Sequence, residues 1–185
     1  MEQIIGLDRA IFRIIHTGCS NDFFDSLFPV FRNSITWVPL YLFLLVFVLI
    51  NYKRNAGWWV LIAVATAVAS DFISSDLIKG NIFRLRPCHD PSLANLLVTY
   101  CPQSSSFTSS HAMNHFCFAT FTYFTLWEVP SVWRRLFFLW AALICFGQVY
   151  VGVHYPFDVV AGALLGVLLG YIVAKLFNSH YRLAR

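Results

Sequence analysis

Long apolar stretches separated by short polar connections dominate this chain. The five longest run over residues 35–50, 58–75, 111–127, 136–151 and 159–177. Each approaches the roughly 20 residues that a helix needs to cross a bilayer. The pattern therefore predicts an all-α fold, a polytopic membrane helical bundle with about five transmembrane helices.

The first 33 residues have a different pattern. Apolar residues recur at roughly helical spacing between Ile4 and Ile15, and charged residues such as Asp8 and Arg13 fall between them. This spacing is typical of a helix that lies in the membrane interface. We expect residues 1–33 to form interfacial amphipathic helices, and a mobile leader is the alternative interpretation.

The composition limits the class of protein. Hydrophobic residues make up 58% of the chain and charged residues only 12%, about half of the ~25% that is usual in soluble domains. The mean hydropathy is +0.65. We expect residues 1–185 to form a single membrane domain. The net charge of +4 is small and scattered, so it predicts basic loops at a membrane surface rather than nucleic-acid binding.

Three polar stretches stand out against this apolar background. The first carries Lys79, Arg84 and Arg86 just after the second apolar stretch. Three cations at the edge of a membrane need an anionic partner, and phosphate suits both the arginine fork and the lysine point charge. For a single cation, snorkelling towards lipid headgroups is the alternative.

The second polar stretch runs from Ser104 to His115 and opens the third predicted helix. Thr108 or Ser109 is a natural N-cap. A helix start exposes free backbone N–H groups and a positive dipole end, which favour a bound anion. His111 would lie beside that anion, whereas helix packing or a supporting hydrogen bond is the more natural role for His115.

The third polar stretch holds His154 and Asp158, four residues apart. Pro156 fits the first position of a new helix, which puts Asp158 in its first turn. A carboxylate bonded to one imidazole nitrogen fixes the tautomer and leaves the other nitrogen nucleophilic. A polar loop is the alternative for this stretch alone, but the three stretches together favour phosphoryl transfer through a histidine.

This combination resembles the type 2 phosphatidic acid phosphatase (PAP2) superfamily, whose pattern is K-x6-R-P, then P-S-G-H, then S-R-x5-H-x3-D. Lys79, Arg86 and Pro87 match the first motif. Residues 108–111 read Thr-Ser-Ser-His and match the second motif with two substitutions.

The third motif is matched by His154 and Asp158. Gly147 and Gln148 stand where that motif has serine and arginine. The resemblance covers about residues 57–177, which we take as the motif-bearing core of the domain.

The resemblance implies a role for each matching residue. His154 attacks phosphorus and becomes a phosphohistidine, Asp158 orients it, and His111 protonates the leaving oxygen. No metal or other cofactor is implied. The groups expected to hold the phosphate oxygens are Lys79, Arg86, Ser109 and the backbone N–H of Ser110.

Gln148 departs from this scheme, because a neutral amide makes weaker contacts with phosphate than a guanidinium. Losing one charged contact could raise the barrier by about 2–4 kcal/mol. Arg84 is the residue that we expect to compensate for it.

The implied function is an integral membrane phosphatase that hydrolyses a lipid phosphate or diphosphate. Undecaprenyl diphosphate, phosphatidylglycerol phosphate, phosphatidic acid and lipid A phosphate all remain candidate substrates. The alternatives are a weakly active or inactive binder of phosphorylated lipid and a lipid-to-lipid phosphotransferase. No protein partner is indicated.

With an odd number of spans, Arg54, Arg135 and the basic tail lie on the same face of the membrane. Because basic loops are enriched on the cytoplasmic side, we expect this face to be cytoplasmic. The three polar stretches share the other face. The resemblance and the compact chain suggest a bacterial inner membrane, with the active site on the periplasmic or extracellular face.

Cys88 and Cys101 both lie in the long loop on that face and could form a disulfide in an oxidising compartment.

Overall fold

The computed structural model of the protein describes residues 2–93 and 100–184, and residues 94–99 of the predicted polar connection lie outside this part. Within the described part, the chain forms seven α-helices and no β-strand. The helices are α1 (Glu2–His16), α2 (Asp22–Phe31), α3 (Val38–Asn51), α4 (Ala56–Phe72), α5 (Ser110–Thr125), α6 (Ser131–Tyr150) and α7 (Pro156–His180).

The all-α membrane bundle is confirmed, with one refinement in the number of full-length spans. Among the described residues, four helical stretches are long and apolar enough to cross a membrane, namely Ser34–Asn51, Ala56–Ile78, Ser131–Tyr150 and Pro156–His180. Helix α5 has only 16 residues, which gives roughly 24 Å against a hydrocarbon core of about 30 Å. It packs against α4, α6 and α7 and forms the interior of the bundle.

Close packing of α5 on α7 brings the starts of these two helices together. A Cβ atom added at Gly162, Gly166 or Gly170 would strike backbone carbonyl oxygens of α5. The glycine repeat in α7 therefore packs within this chain, since small residues let helix backbones approach. At the end of the bundle where the polar stretches meet, the Ser109 N–H donates to the carbonyl oxygen of Asp158 at 3.1 Å.

The two N-terminal helices form as predicted, but they pack onto the bundle at the end where the polar stretches meet. Helix α1 buries Asp8, Phe12 and His16 on one face, and leaves Ile4 and Ile14 largely exposed. A helix that lies in the membrane interface turns its charged residues towards water. Here the inward face contains Asp8 because that carboxylate has partners inside the protein, described below.

The opposite end of the bundle collects the basic connections. The backbone of Arg54 pairs with that of Ala184, and Asn55 donates to the carbonyl oxygen of Arg182 at 3.1 Å. The Arg182 guanidinium lies 4.7 Å from the ring centre of Trp127. The α3–α4 connection, the α5–α6 connection and the tail therefore meet at one end, away from the polar stretches.

Candidate active site

The segment that follows α4 aims its two arginines inward. The last turns of the helix, Ile73–Ile78, are π-helical, a local distortion that is frequent at functional sites. Beyond them Phe83 and Leu85 are exposed, whereas Arg84 and Arg86 are turned towards the protein. This alternation, as in an extended chain, puts two guanidinium groups on the same inner side.

Arg86 is a buried cation held by neutral acceptors. It is only 3% exposed. Its Nε donates to the carbonyl oxygen of Ser104 at 2.8 Å, and its Nη1 donates to that of Val153 at 2.9 Å. No carboxylate among the described residues lies within ion-pair distance of it. A buried charge without an opposite charge is costly, so this position favours a bound anion.

His154 lies in the loop between α6 and α7 and is 2% exposed. Its Nε2 is 3.2 Å from Nη1 of Arg86. Its Nδ1 is 3.8 Å from Oδ2 of Asp158 and 3.5 Å from Oγ of Ser106. The Ser106 hydroxyl donates to the same Asp158 oxygen at 2.5 Å. The carboxylate and the hydroxyl therefore face Nδ1 together, and Nε2 points to the cation.

The surroundings of His154 favour its neutral form. Burial lowers the pKa of His154 to about 4, because the imidazolium would lose its hydration. The Asp158 carboxylate opposes this shift in pKa, and the positive charges of Arg86 and Lys79 add to it. With a proton on Nδ1 facing the carboxylate, Nε2 keeps a free electron pair, as a nucleophile requires.

Further hydrogen bonds hold the Asp158 carboxylate in place. Oδ2 accepts from the backbone N–H of Tyr155 at 3.0 Å, and Oδ1 accepts from Nη1 of Arg84 at 2.5 Å. Nη2 of Arg84 in turn donates to Asp8 at 2.6 Å. Asp8 also accepts from the backbone N–H of Phe157 at 2.9 Å, so it ties α1 to the start of α7.

The start of α5 offers backbone donors. Ser109 is the N-cap, and its hydroxyl oxygen accepts from the N–H of Ala112 at 3.3 Å. The Ser110 hydroxyl bonds to that of Ser74 at 2.9 Å. Within the part of the chain that the structure describes, the backbone N–H groups of Ser110 and His111 meet no acceptor. They are the free donors that a helix start provides for an anion.

Lys79 and His111 are near enough to the other predicted residues for their charges to act on one another. Lys79 follows α4 directly, and its charge acts on Arg86 and His154. Burial lowers the pKa of Lys79 to about 8, and Arg86 acts in the same direction. The His111 ring is nearly parallel to that of His115 at 6.1 Å, and Nδ1 of His115 lies 2.7 Å from the His111 carbonyl oxygen.

The contacts of Arg84 differ from those expected of a residue that compensates for Gln148. Both of its terminal nitrogens are engaged by carboxylates, so its charge is already balanced inside the protein. The guanidinium next to Gln148 belongs instead to Arg32. Its Nε and Nη2 donate to Oε1 of Gln148 at 3.2 and 3.1 Å.

Sequence reasoning missed Arg32, Asp8 and Ser106. Ser106 could have been found, because it lies within the polar stretch that opens α5. The sequence signal for Asp8 is weaker: it lies four residues before the apolar Phe12 and therefore on the same face of the predicted helix. Arg32 has none, because its partner is 116 positions away.

Cys88 and Cys101 are joined by a disulfide, with Cα atoms 6.0 Å apart. The bond closes the loop that follows Arg86. These two residues and His89 also form the one cluster in the described part of the chain that could hold a metal ion, but the disulfide occupies both sulfur atoms.

Residues 56–182, more than half of the chain, match the PAP2 superfamily. The chain belongs to this superfamily. The match begins with α4, so it leaves out the N-terminal segment that contributes Asp8 and Arg32.

Individual relatives and a solved structure agree with this assignment. The chain is 26% identical to a lipid A 4'-phosphatase of Porphyromonas gingivalis, over 96% of this chain and 75% of the relative. It is 27% identical to an undecaprenyl-diphosphatase of Sulfolobus acidocaldarius, over 96% of this chain and 82% of the relative. The crystal structure of Aquifex aeolicus LpxE is similar with a TM-score of 0.68 and 26% identity, over 91% of this chain and 95% of that one.

Proposed function

We propose that this protein is an integral membrane phosphatase that hydrolyses a lipid phosphate or diphosphate through a phosphohistidine on His154. One observation carries the proposal: Nε2 of His154 lies 3.2 Å from Nη1 of Arg86, a buried cation without a carboxylate partner among the described residues. A phosphoryl group bound next to both atoms would meet a nucleophile and a positive charge at once. The activities named for the relatives support a lipid phosphate or diphosphate as substrate.

In the first step, the electron pair on Nε2 of His154 attacks phosphorus and forms an N–P bond. The P–O bond to the lipid breaks, its electron pair stays on the lipid oxygen, and His111, which enters this step in its protonated form, gives that oxygen a proton. Lys79, Arg86 and the Ser110 N–H hold the phosphoryl oxygens, where negative charge builds up. Fixed donors at such positions are a major source of rate enhancement.

In the second step, water attacks the phosphorus of the phosphohistidine. His111, now unprotonated, takes a proton from the water, the new O–P bond forms, and the N–P electron pair returns to His154. Inorganic phosphate then leaves. Asp158, held by Ser106 and Arg84, stabilises the positive charge on the imidazole ring while the phosphoryl group is attached.

A groove beside the site supports a lipid substrate. It has a volume of about 450 Å³ and lies between α3, α4 and α5. Its walls are mostly apolar and include His115, which lies one helical turn from His111. A lipid whose phosphate reaches His154 can therefore keep an apolar chain against the protein. The four candidate substrates share this chemistry.

We further propose a bacterial inner membrane with the active site on the periplasmic or extracellular face. The disulfide between Cys88 and Cys101 lies at the active-site end, and such bonds persist in oxidising compartments. The basic connections around Arg54 and Arg182 lie at the other end, as expected for a cytoplasmic face.

The test is phosphate release by the purified protein from a panel of lipid phosphates and diphosphates in detergent. We expect release from at least one lipid, and a loss of at least about 1,000-fold in His154→Ala, as for removal of a nucleophile. His180→Ala is the matched control, since His180 is exposed at the far end of α7. Binding without turnover would instead support a lipid-phosphate binder, and a labelled lipid product would support a phosphotransferase.

A further inference from the structure

The C-terminal end of α2 delivers a guanidinium group to the site from outside the matched region. Arg32 caps this helix, and its Nε and Nη2 both donate to Gln148. Within the described part of the chain, its Nη1 meets no acceptor and no carboxylate lies within ion-pair distance. Arg32 is therefore an uncompensated cation with a free donor.

Gln148 is a buried amide with only half of its hydrogen-bonding capacity used. It is 0% exposed. Its Oε1 accepts from Arg32, but its Nε2 has no hydrogen-bond partner among the described residues. Leaving a buried donor unpaired costs roughly 1–3 kcal/mol, so an acceptor that is not part of this chain is expected there.

The backbone of Gln148 is hydrogen-bonded to the segment that carries the proposed nucleophile. The carbonyl oxygen of Gln148 accepts from the backbone N–H groups of Val153 and His154 at 3.2 and 3.3 Å. The positive charge of Arg32 also acts on Arg86 and on His111. Arg32 and Gln148 therefore lie close to the residues of the proposed phosphate site.

Gly147 makes this approach of α2 to α6 possible. A Cβ atom at position 147 would lie 3.1 Å from Cδ1 of Phe28 and 3.6 Å from Cβ of Arg32. The side chain of a serine there would press on Phe28, which would have to move by a few tenths of an ångström. Gly147 and Gln148, the two departures from the third motif, thus belong to one arrangement that admits Arg32.

We propose that Arg32 and Gln148 bind the substrate phosphate as a pair. Arg32 supplies a third cation beside Lys79 and Arg86, and Gln148 holds that guanidinium in place and donates its own Nε2–H to the phosphate. The inference rests on the proposed function and adds residues to the same site. The third motif has an arginine at the position of Gln148. In this chain, Arg32 of the N-terminal segment supplies that positive charge instead.

The test compares Arg32→Gln with the unaltered protein. Glutamine can still bond to Gln148 but carries no charge. We expect kcat/KM to fall about 100-fold, the usual effect of removing one donor to developing charge, and the Kd for inorganic phosphate, measured by calorimetry, to rise about tenfold. Arg13→Gln is the control, because Arg13 is exposed on the neighbouring α1, and it should leave both values unchanged.

A relocation variant separates phosphate binding from a structural role. Arg32→Gln combined with Gln148→Arg carries the guanidinium at position 148, and we expect it to recover at least tenfold of the lost kcat/KM. If Arg32→Gln leaves phosphate affinity and kcat/KM within threefold of the unaltered protein, the inference is wrong. It is equally wrong if activity falls while phosphate affinity is unchanged and the relocation variant restores nothing. The calorimetric measurement needs no turnover, so it decides this question even if the proposed phosphatase activity fails.

Discussion

The role of Arg84 can be tested directly, because its contacts in the structure and its role expected from the sequence predict different effects of replacing it. Its Nη1 is 2.5 Å from Asp158 and its Nη2 is 2.6 Å from Asp8. Both carboxylates are fully buried. Arg84→Gln removes the cation that they share, so we expect the variant to lose stability rather than affinity for phosphate.

The size of the loss follows from these two contacts. A hydrogen bond to a charged group contributes about 1.5–3 kcal/mol, which gives roughly 3–6 kcal/mol for two. The Arg84 side chain is 24% exposed, so solvent screens part of this interaction and the low end applies. A loss of about 3 kcal/mol should lower the thermal midpoint by roughly 6–12 °C for a chain of this size.

The assay is thermal unfolding of the purified protein in detergent, combined with calorimetric titration of inorganic phosphate at a temperature where the variant is folded. Arg9→Gln is the matched control. Arg9 also pairs with a carboxylate, Asp90 at 2.8 Å, but its side chain is 48% exposed. An exposed pair contributes only about 0–1 kcal/mol, so the control should shift the midpoint little.

The reverse result would refute this reasoning. If Arg84→Gln keeps the thermal midpoint but weakens phosphate binding tenfold or more, Arg84 contacts the phosphate and compensates for Gln148 as the sequence predicts. The added change Asp8→Asn provides a further check. Its effect should be smaller in the Arg84→Gln background than alone, because the two residues act on one interaction.

Three further predictions concern other parts of the molecule. Since the pKa of Lys79 is lowered to about 8, its positive charge is present below that pH and lost above it, so kcat/KM should fall as the pH rises through about 8. In Lys79→Arg this fall should move to higher pH. A pH profile that the substitution leaves unchanged would contradict the assignment. Gly166→Val should lower the thermal midpoint by several degrees because its side chain would strike α5, whereas Gly57→Val, which meets no neighbouring atom, should not. In protein purified without reductant, Cys88 should react with an alkylating agent only after reduction, and alkylation before reduction would argue against the disulfide.

Much of the arrangement can be predicted from the sequence, because its determinants are local. Long apolar runs define the helices, Pro156 and Ser109 mark where α7 and α5 begin, and the spacing of His154 and Asp158 puts both at the start of α7. The interior position of α5 is harder to predict. An apolar helix buried by other helices and one that faces lipid have the same composition.

The contacts made by the N-terminal segment could not be predicted for a different reason. Asp8 reaches Arg84 across 76 positions, and Arg32 reaches Gln148 across 116. A charged residue on a short amphipathic helix has the same local pattern whether it faces water or a buried partner. Only the packing of α1 and α2 onto the bundle distinguishes the two cases.

The most direct test of the central claim is to trap the covalent intermediate. The protein is mixed with a labelled substrate from the lipid panel and quenched within one turnover under alkaline conditions that preserve phosphohistidine, and the labelled residue is then identified by peptide mass spectrometry. We predict a phosphoryl group on His154 that is stable to alkali, is lost in acid and is absent from His154→Ala. A phosphoryl group on a different side chain, or full turnover by His154→Ala, would contradict the account.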